Sequence, residues 1–419
     1  MSLPPRRVLG AALLILLGSA PARSQPSGRA ASPAAAIVAG YVERYFDMYP
    51  TRATEAGRHD LDSVIEDFSA PKIAAWIEFN RATQAALAAA AKGASIEDRL
   101  DLSMVKAQTE RELLDLDVLR RRDRDPLLWT APLSNATVFL LVRDDLARGD
   151  ALAAARQRVS LIPPLARAAR EAFEVADPSA VAPEHARLAA SQVSSLARFY
   201  AEGFAQAFAP AVREGVQREA QFASLALEDL AATLETVAKT ATGRAQLGLR
   251  YAEVFRVGTG LTEPPASVLA RAERALVAKR REAARYARLV FAEVTGETGA
   301  PPARDAEVIR RVFAAIGEDK DPDLDTYIAG WKRNTVDVER FVRGRRVMTL
   351  KDPLTLKIDI SPAYFTGQSV GGVYAAGPWS PGASTILFLP VPRTGASADE
   401  AAVFYRDFNR GFNRMIVAH

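Results

Sequence analysis

The segment Ser32-Pro-Ala-Ala-Ala-Ile-Val-Ala-Gly-Tyr-Val-Glu-Arg-Tyr-Phe-Asp-Met-Tyr-Pro50 sets the pattern for most of the chain. Serine followed by proline is an N-cap with proline at the first helical position, where its missing N–H is not needed. Ile37, Tyr41, Tyr45 and Met48 then recur three or four residues apart, so they share one helix face, and Pro50 closes the run. The same grammar continues downstream. A polar, turn-rich segment over 51–67 leads to a start at Ser69 with Pro71, and helices follow over 96–122, 137–148, 151–175 with a kink at Pro163-Pro164, 183–209 and 215–240. Three more are expected, from Ser267 to about Val294, around Val308 to Ile316, and from Asp321 through Trp331. The period changes only after Gly344. Val347 to Leu350, a Lys-Asp-Pro turn and the alternating Leu354-Thr-Leu-Lys-Ile-Asp-Ile360 predict a hairpin, and Thr385-Ile-Leu-Phe-Leu389 predicts a further strand. The fold class is therefore mainly α, a multi-helix architecture with a small antiparallel β-sheet near the C-terminus.

Composition narrows the function. Of 419 residues, 49% are hydrophobic and 25% charged, which excludes disordered and fibrous classes. The formal charge of +4 falls by two if Arg6 and Arg7 leave with a leader, which is no nucleic-acid footprint. Arg120, Arg121 and Arg122 are followed at once by Asp123 and Asp125, so they read as a solvated helix end. Arg6-Arg7, the apolar run Val8 to Leu17 and Ala20-Pro-Ala22 make residues 1–22 a signal peptide, too short to span a membrane at about 20 residues. The expected location is periplasmic or secreted. The absence of cysteine removes disulfides, thiol catalysis, thiolate zinc sites and a cysteine-borne lipid together. The expected organisation is signal peptide 1–22, spacer 23–32, helical region 33–343, β-sheet and Gly/Pro-rich loops 344–396, and a last helix from 397 to 419.

Chemistry-bearing residues are few. His59 lies in a Gly-Arg-His-Asp turn and His185 in the first turn of a helix, and neither has a histidine three or four residues away. Gly367-Gln-Ser-Val-Gly371 matches a nucleophile elbow, with Asp399 or Asp407 and then His419 in hydrolase order. However, the glycines and proline that follow Ser369 cannot open the helix an elbow needs. Gly258-Thr-Gly260 reads as a helix-ending turn. Ser397-Ala-Asp-Glu400 is a capping box, and Phe404, Phe408, Phe412, Met415 and His419 fall on one helical face, so His419 is expected to point inward with the core residues.

Two stretches carry a family resemblance. Tyr49-Pro-Thr-Arg-Ala-Thr-Glu-Ala-Gly-Arg-His-Asp60 with Asp67-Phe-Ser69 is the first. Ala363-Tyr-Phe, Gly372-Val-Tyr, the strand Thr385 to Pro390, and Tyr405-Arg-Asp-Phe-Asn409 running to Met415-Ile-Val-Ala-His419 form the second. In these the sequence resembles domain-of-unknown-function family 885, secreted bacterial proteins whose architecture looks like that of helical zinc peptidases. The resemblance implies that His419 is the first ligand of a His-Glu-x-x-Pro-Gly-His zinc motif, whose second histidine, base and distant glutamate have no positions here. It also implies a peptide-like substrate, with Gly371, Gly372 and Tyr374 as substrate-binding residues. The strand 385–389 is then either the cleft edge or a buried sheet strand. The expectation is an exported zinc-metallopeptidase-like hydrolase lacking its catalytic C-terminal part. Zinc is its cofactor by resemblance but does not bind tightly, because one imidazole cannot fix a metal. The alternatives are a non-catalytic periplasmic binding protein and a serine hydrolase using Ser369. If later helices are missing, the faces near Trp331, Phe341 and 385–389 should lie exposed, leaving the chain marginal and its last segment mobile.

Overall fold

The computed structural model describes residues 32–360, 371–380, 382–392 and 395–419. The leader and Ser369 lie outside the described residues. The helical grammar holds. Helices α1 (Pro33–Met48), α2 (Pro50–Ala56), α3 (Ala70–Ala90), α4 (Ile96–Leu113), α5 (Arg121–Arg124), α6 (Leu127–Val142), α7 (Arg148–Val159), α8 (Ile162–Glu174), α9 (Pro183–Arg198) and α10 (Pro210–Thr240) enclose the main core. Ser32 caps α1 as its sequence position implies, its hydroxyl accepting from the Ala35 N–H at 3.1 Å.

Two departures have clear causes. Pro50 does not merely end α1; it occupies the first position of α2, so part of the expected turn segment is helical. Likewise Pro163 and Pro164 sit in the first turn of α8, where no N–H is lost, and the anticipated kink is a clean break at Ser160-Leu161.

Downstream come α11 (Tyr251–Thr259), α12 (Pro265–Thr295), α13 (Asp305–Glu318) and α14 (Leu324–Arg345), then strands β1 (Leu356–Ile360), β2 (Gly372–Tyr374) and β3 (Thr385–Leu389), and finally α15 (Ala398–Asp407) and α16 (Arg410–Ala418). The sheet is mixed, not antiparallel throughout. Its order is β1-β3-β2, with β1 parallel to β3 (Leu356 opposite Thr385) and β2 antiparallel to it (Val373 opposite Leu387). Val347 to Leu350 forms no strand. β3 takes the centre because it is apolar on both faces, as a fully covered strand must be. Ile386 and Phe388 join the main helical core, while Leu387 and Leu389 pack with Tyr327 and Trp331 of α14 and Tyr405 of α15. Each such side chain removed from water contributes about 1.5–3 kcal/mol, so this one strand joins two separate cores.

The expected exposure of this region is overturned for most of it. Trp331 and Leu389 are fully buried and Ile386 and Phe388 nearly so, whereas Phe341 stays open at 59%, together with Val336, Val347 and Met348 around it. The single helix expected from 397 is also interrupted. The Ser397 capping box forms as read, but the chain breaks at Phe408, and Asn409 starts α16 by accepting the Phe412 N–H at 3.0 Å. The break rotates the later residues out of register, so Met415 and His419 are exposed instead of facing the core.

Candidate functional site

The first stretch that carries the family resemblance meets, more than 300 residues later in the sequence, the loop that joins the Gly372-Val-Tyr and Thr385 to Pro390 parts of the second. α2 ends at Gly57, whose φ of 86° is the left-handed conformation that glycine adopts without strain, and the chain turns back across the molecule. Against this turn sits the loop after β2: the Trp379 N–H donates to the Ala56 carbonyl at 3.0 Å, and the Ser380 hydroxyl to the Gly57 carbonyl at 2.9 Å. Gly377 passes so close that an added Cβ would lie within the van der Waals shell of the Ala56 carbonyl. A second clamp comes from Asp144, which accepts the Ser384 N–H at 3.0 Å and pairs with Lys357 of β1. Gly377→Ala should therefore cost about 2 kcal/mol by overpacking. A wild-type urea midpoint for that variant would show that the loop can shift freely.

Beneath the clamp lies a buried polar network. The His59 Nδ1 meets Asp62 at 2.7 Å, and its Nε2 stands 3.6 Å from Asp145, which Arg143 approaches at 2.5 Å. Thr54 donates to the other Asp62 oxygen at 2.5 Å. Arg158, wholly buried, holds the arrangement from below. It donates to Thr54 Oγ1 at 2.7 Å and to the carbonyls of Val64 (2.9 Å), Leu61 (3.1 Å), Ala136 (3.2 Å) and Pro50 (3.4 Å). Burial pushes its guanidinium below its ordinary value, opposed by the charges of Asp62 and Glu66. Burial pushes Glu66 up, against hydrogen bonds from Thr51, whose hydroxyl donates at 2.6 Å. Tyr49, which opens the first stretch, donates at 2.6 Å to Glu112, a carboxylate also bonded by Trp76 and Gln108 and raised by its burial. Tyr49, Thr51, Thr54 and His59 are thus all fastened inward, and the first stretch reads as a structural fastening under the sheet.

The residues singled out from sequence sit as follows. Gly371 (φ 117°) and Gly372 open β2; a Cβ on Gly371 would come within 2.7 Å of Pro390. The Tyr374 ring is half-buried and committed to packing, 5.4 Å from the Phe388 ring and 6.0 Å from that of Phe139. Its neighbour Val373, 54% exposed, is the residue that β2 presents to solvent. Since β3 is central, it cannot be the cleft edge; β1 and β2 are the sheet's edges among the described residues. His419 stands at the exposed end of α16, its N–H bonded to the Met415 carbonyl. His59 and His185 are each engaged by a carboxylate, and among the described residues no three of His, Cys, Asp and Glu are arranged to hold a metal ion. The side chains present do not fit a zinc site.

His185 bonds Asp125 at 3.1 Å. That bond raises the histidine above its ordinary 6.5 despite burial, while Asp125, which burial alone would raise, is lowered below 3.8 by His185 and Arg121. The histidine's contribution is complete below pH 6.5 and lost as pH rises through the higher folded value. That of Asp125 is complete above 3.8 and lost as pH falls through the lower one. For so exposed a pair about 0.5 kcal/mol is expected. The urea midpoint should fall between pH 5.5 and pH 9 in the wild type and by less in His185→Gln; equal falls would mean the pair contributes nothing.

No curated protein matches the chain. Among solved structures it is similar to a "putative lipoprotein of unknown function" from Shewanella oneidensis, with a TM-score of 0.66 at 17% identity, covering 92% of this chain and 69% of that one. It is also similar to a "putative lipoprotein" from Colwellia psychrerythraea, with a TM-score of 0.63 at 9% identity, covering 86% and 68%. At such identities the likeness is one of fold. No helix among the described residues is long and apolar enough to cross a membrane. The family model for a bacterial protein of unknown function, DUF885, matches residues 50–403, and the chain belongs to that family.

Proposed function

We propose that the chain is the substrate-holding part of an exported, zinc-peptidase-like hydrolase, that it binds an extended peptide along the β2 edge, and that it does not itself turn substrate over. The observation that carries this reading is the fastening of the sheet. Two clamps, Ala56/Gly57 to the 377–380 loop and Asp144 to Ser384 and Lys357, fix the sheet on the helical body, while among the described residues β2 is an edge strand with Val373 outward. A rigidly held edge can accept a peptide as an added strand, with main-chain hydrogen bonds giving affinity. Zinc does not bind tightly, since His419 is the one residue matched to the family's metal motif. The export signal read at 1–22 supports a location outside the cytoplasm, where such a peptide would be met.

The test has two arms. A benzophenone amino acid at Val373 should cross-link an extended peptide, and one at Lys357 on the opposite edge should not; equal capture at both would remove β2 as the binding edge. Peptide hydrolysis by this chain with added zinc should be absent. Zinc-dependent turnover abolished by His419→Ala would show that the chain holds a complete metal site. The second reading, a non-catalytic binding protein, rests on the same edge, because strand addition requires no metal. It predicts capture at Val373 and no hydrolysis by any longer product of the gene.

A further inference from the structure

α12 is 31 residues long and α13, the helix packed along it, is 14, or about 46 Å against about 21 Å at 1.5 Å per residue. Their contact buries Ala287 and Phe291 of α12 against Val308 and Val312, with Val290 and Val294 at its margin. The α12 stripe that makes this contact does not stop where α13 does. Leu269, Ala272, Leu276 and Ala283 extend it toward the N-terminus at spacings of three, four and seven, with Glu273 and Arg280 set among them on the side that Phe291 occupies further along. Here, though, nothing among the described residues covers it. Every residue from 271 to 281 is exposed, and Leu269, Leu276 and Val277 are open at 59%, 49% and 49%. An isolated helical stretch of this length is marginal in water, so a stripe left open over three turns calls for a partner.

We infer that the uncovered half of α12 docks an amphipathic helix with acidic flanks, extending the α12–α13 interface along the same stripe. Three observations choose this occupant. The leucines and alanines run on from an existing helix–helix contact, with Arg280 beside them to meet an acidic side chain, and the alanines, like the buried Ala284 and Ala287, allow close approach of a second helix. Residues 265–285 carry six basic side chains against Glu273 and Glu282; Arg271 pairs with Glu263 and Lys279 with Glu282, and Arg274, Arg280, Arg281 and Arg285 leave an excess of positive charge that favours a partner of opposite sign. The same excess of positive charge opposes pairing with a second copy of α12. The stripe also lacks the aromatic residues that anchor an interfacial helix in a bilayer.

The experiment uses the full chain and two labelled peptides of about 20 residues, long enough to match the open stripe. Both carry a Leu/Ala stripe at three-four spacing, one flanked by glutamate and the other by lysine, and binding is followed by fluorescence anisotropy. The glutamate peptide should bind and weaken with salt, and the lysine peptide should not. The paired substitution Leu269→Asp and Leu276→Asp should abolish binding. Arg274→Glu with Arg280→Glu should weaken the glutamate peptide about tenfold and confer binding of the lysine peptide, a gain that misfolding cannot produce. Equal binding of both peptides, or of neither, overturns the inference. So does a concentration-dependent dimer lost on the leucine substitutions, or flotation of the chain with phosphatidylglycerol vesicles.

Discussion

Replacing Arg158 by methionine should destabilise the protein by about 4 kcal/mol, an effect typical of removing one partner from a buried charged network. The side chain is wholly buried and is the donor for four carbonyls and the Thr54 hydroxyl, drawn from α2, the 58–68 loop and α6. Methionine fills much of the volume but donates nothing, so those acceptors stay dry and unpaired, and Asp62 and Glu66 lose a compensating cation. Lysine should rescue only in part, because one ammonium cannot reproduce a planar fork. A neighbouring substitution calibrates the result. Arg156→Met, which breaks an exposed pair with Glu219, should cost under about 1 kcal/mol. A urea denaturation in which the two variants behave alike would mean that the Arg158 network is solvated in solution.

Trp331→Ala should cost about 4 kcal/mol, but to a different part of the molecule. Trp331 packs with Tyr327, Leu389 and Tyr405 in a core separate from the main helical one. The loss should therefore appear as local opening: hydrogen exchange accelerates through α14, α15 and α16 while α9 and α10 keep their protection. Uniform loss of protection across both would show that β3 couples the two cores too tightly for either to open alone.

These two residues mark what the sequence conveys and what it hides. Trp331 was legible as an inward residue, since Leu324, Tyr327, Ile328 and Trp331 share a helix face. Its exposure was expected from the supposed absence of partners, and α15, α16 and Leu389 provide them. Arg158 was not legible at all. In Arg156-Gln-Arg158 the two arginines look alike, and what separates them is a set of carbonyls, several of them 94 to 108 residues away, which no local pattern encodes. The strands at 356–360 and 385–389 were readable by alternation and by apolar content. Their parallel pairing was not, because register depends on the connection between them and on which strand is covered on both sides. The one-face reading of 404–419 failed at a single asparagine, whose tendency to start a helix outweighed the propensity to continue one. Among the histidines, the His59–Asp62 spacing of three was visible in the sequence; Asp145 and Arg143, which complete the group, come from beyond α6.

The contact between Gly57 and Ser380 spans 323 residues, and that between Asp144 and Ser384 spans 240. Closing a loop of that length costs about 5 kcal/mol in chain entropy before any contact repays it. A chain emerging N-terminus first therefore completes the cradle at Ala56, Gly57 and Asp144 while the strands that fill it have yet to appear, and the seating of the sheet is a late step in its biogenesis. Until then the cradle's carbonyls and the Asp144 carboxylate face water, and the helical body waits in a receptive state. On the proposed reading, a peptide added to β2 would bind only the finished form and so draw this last step toward completion.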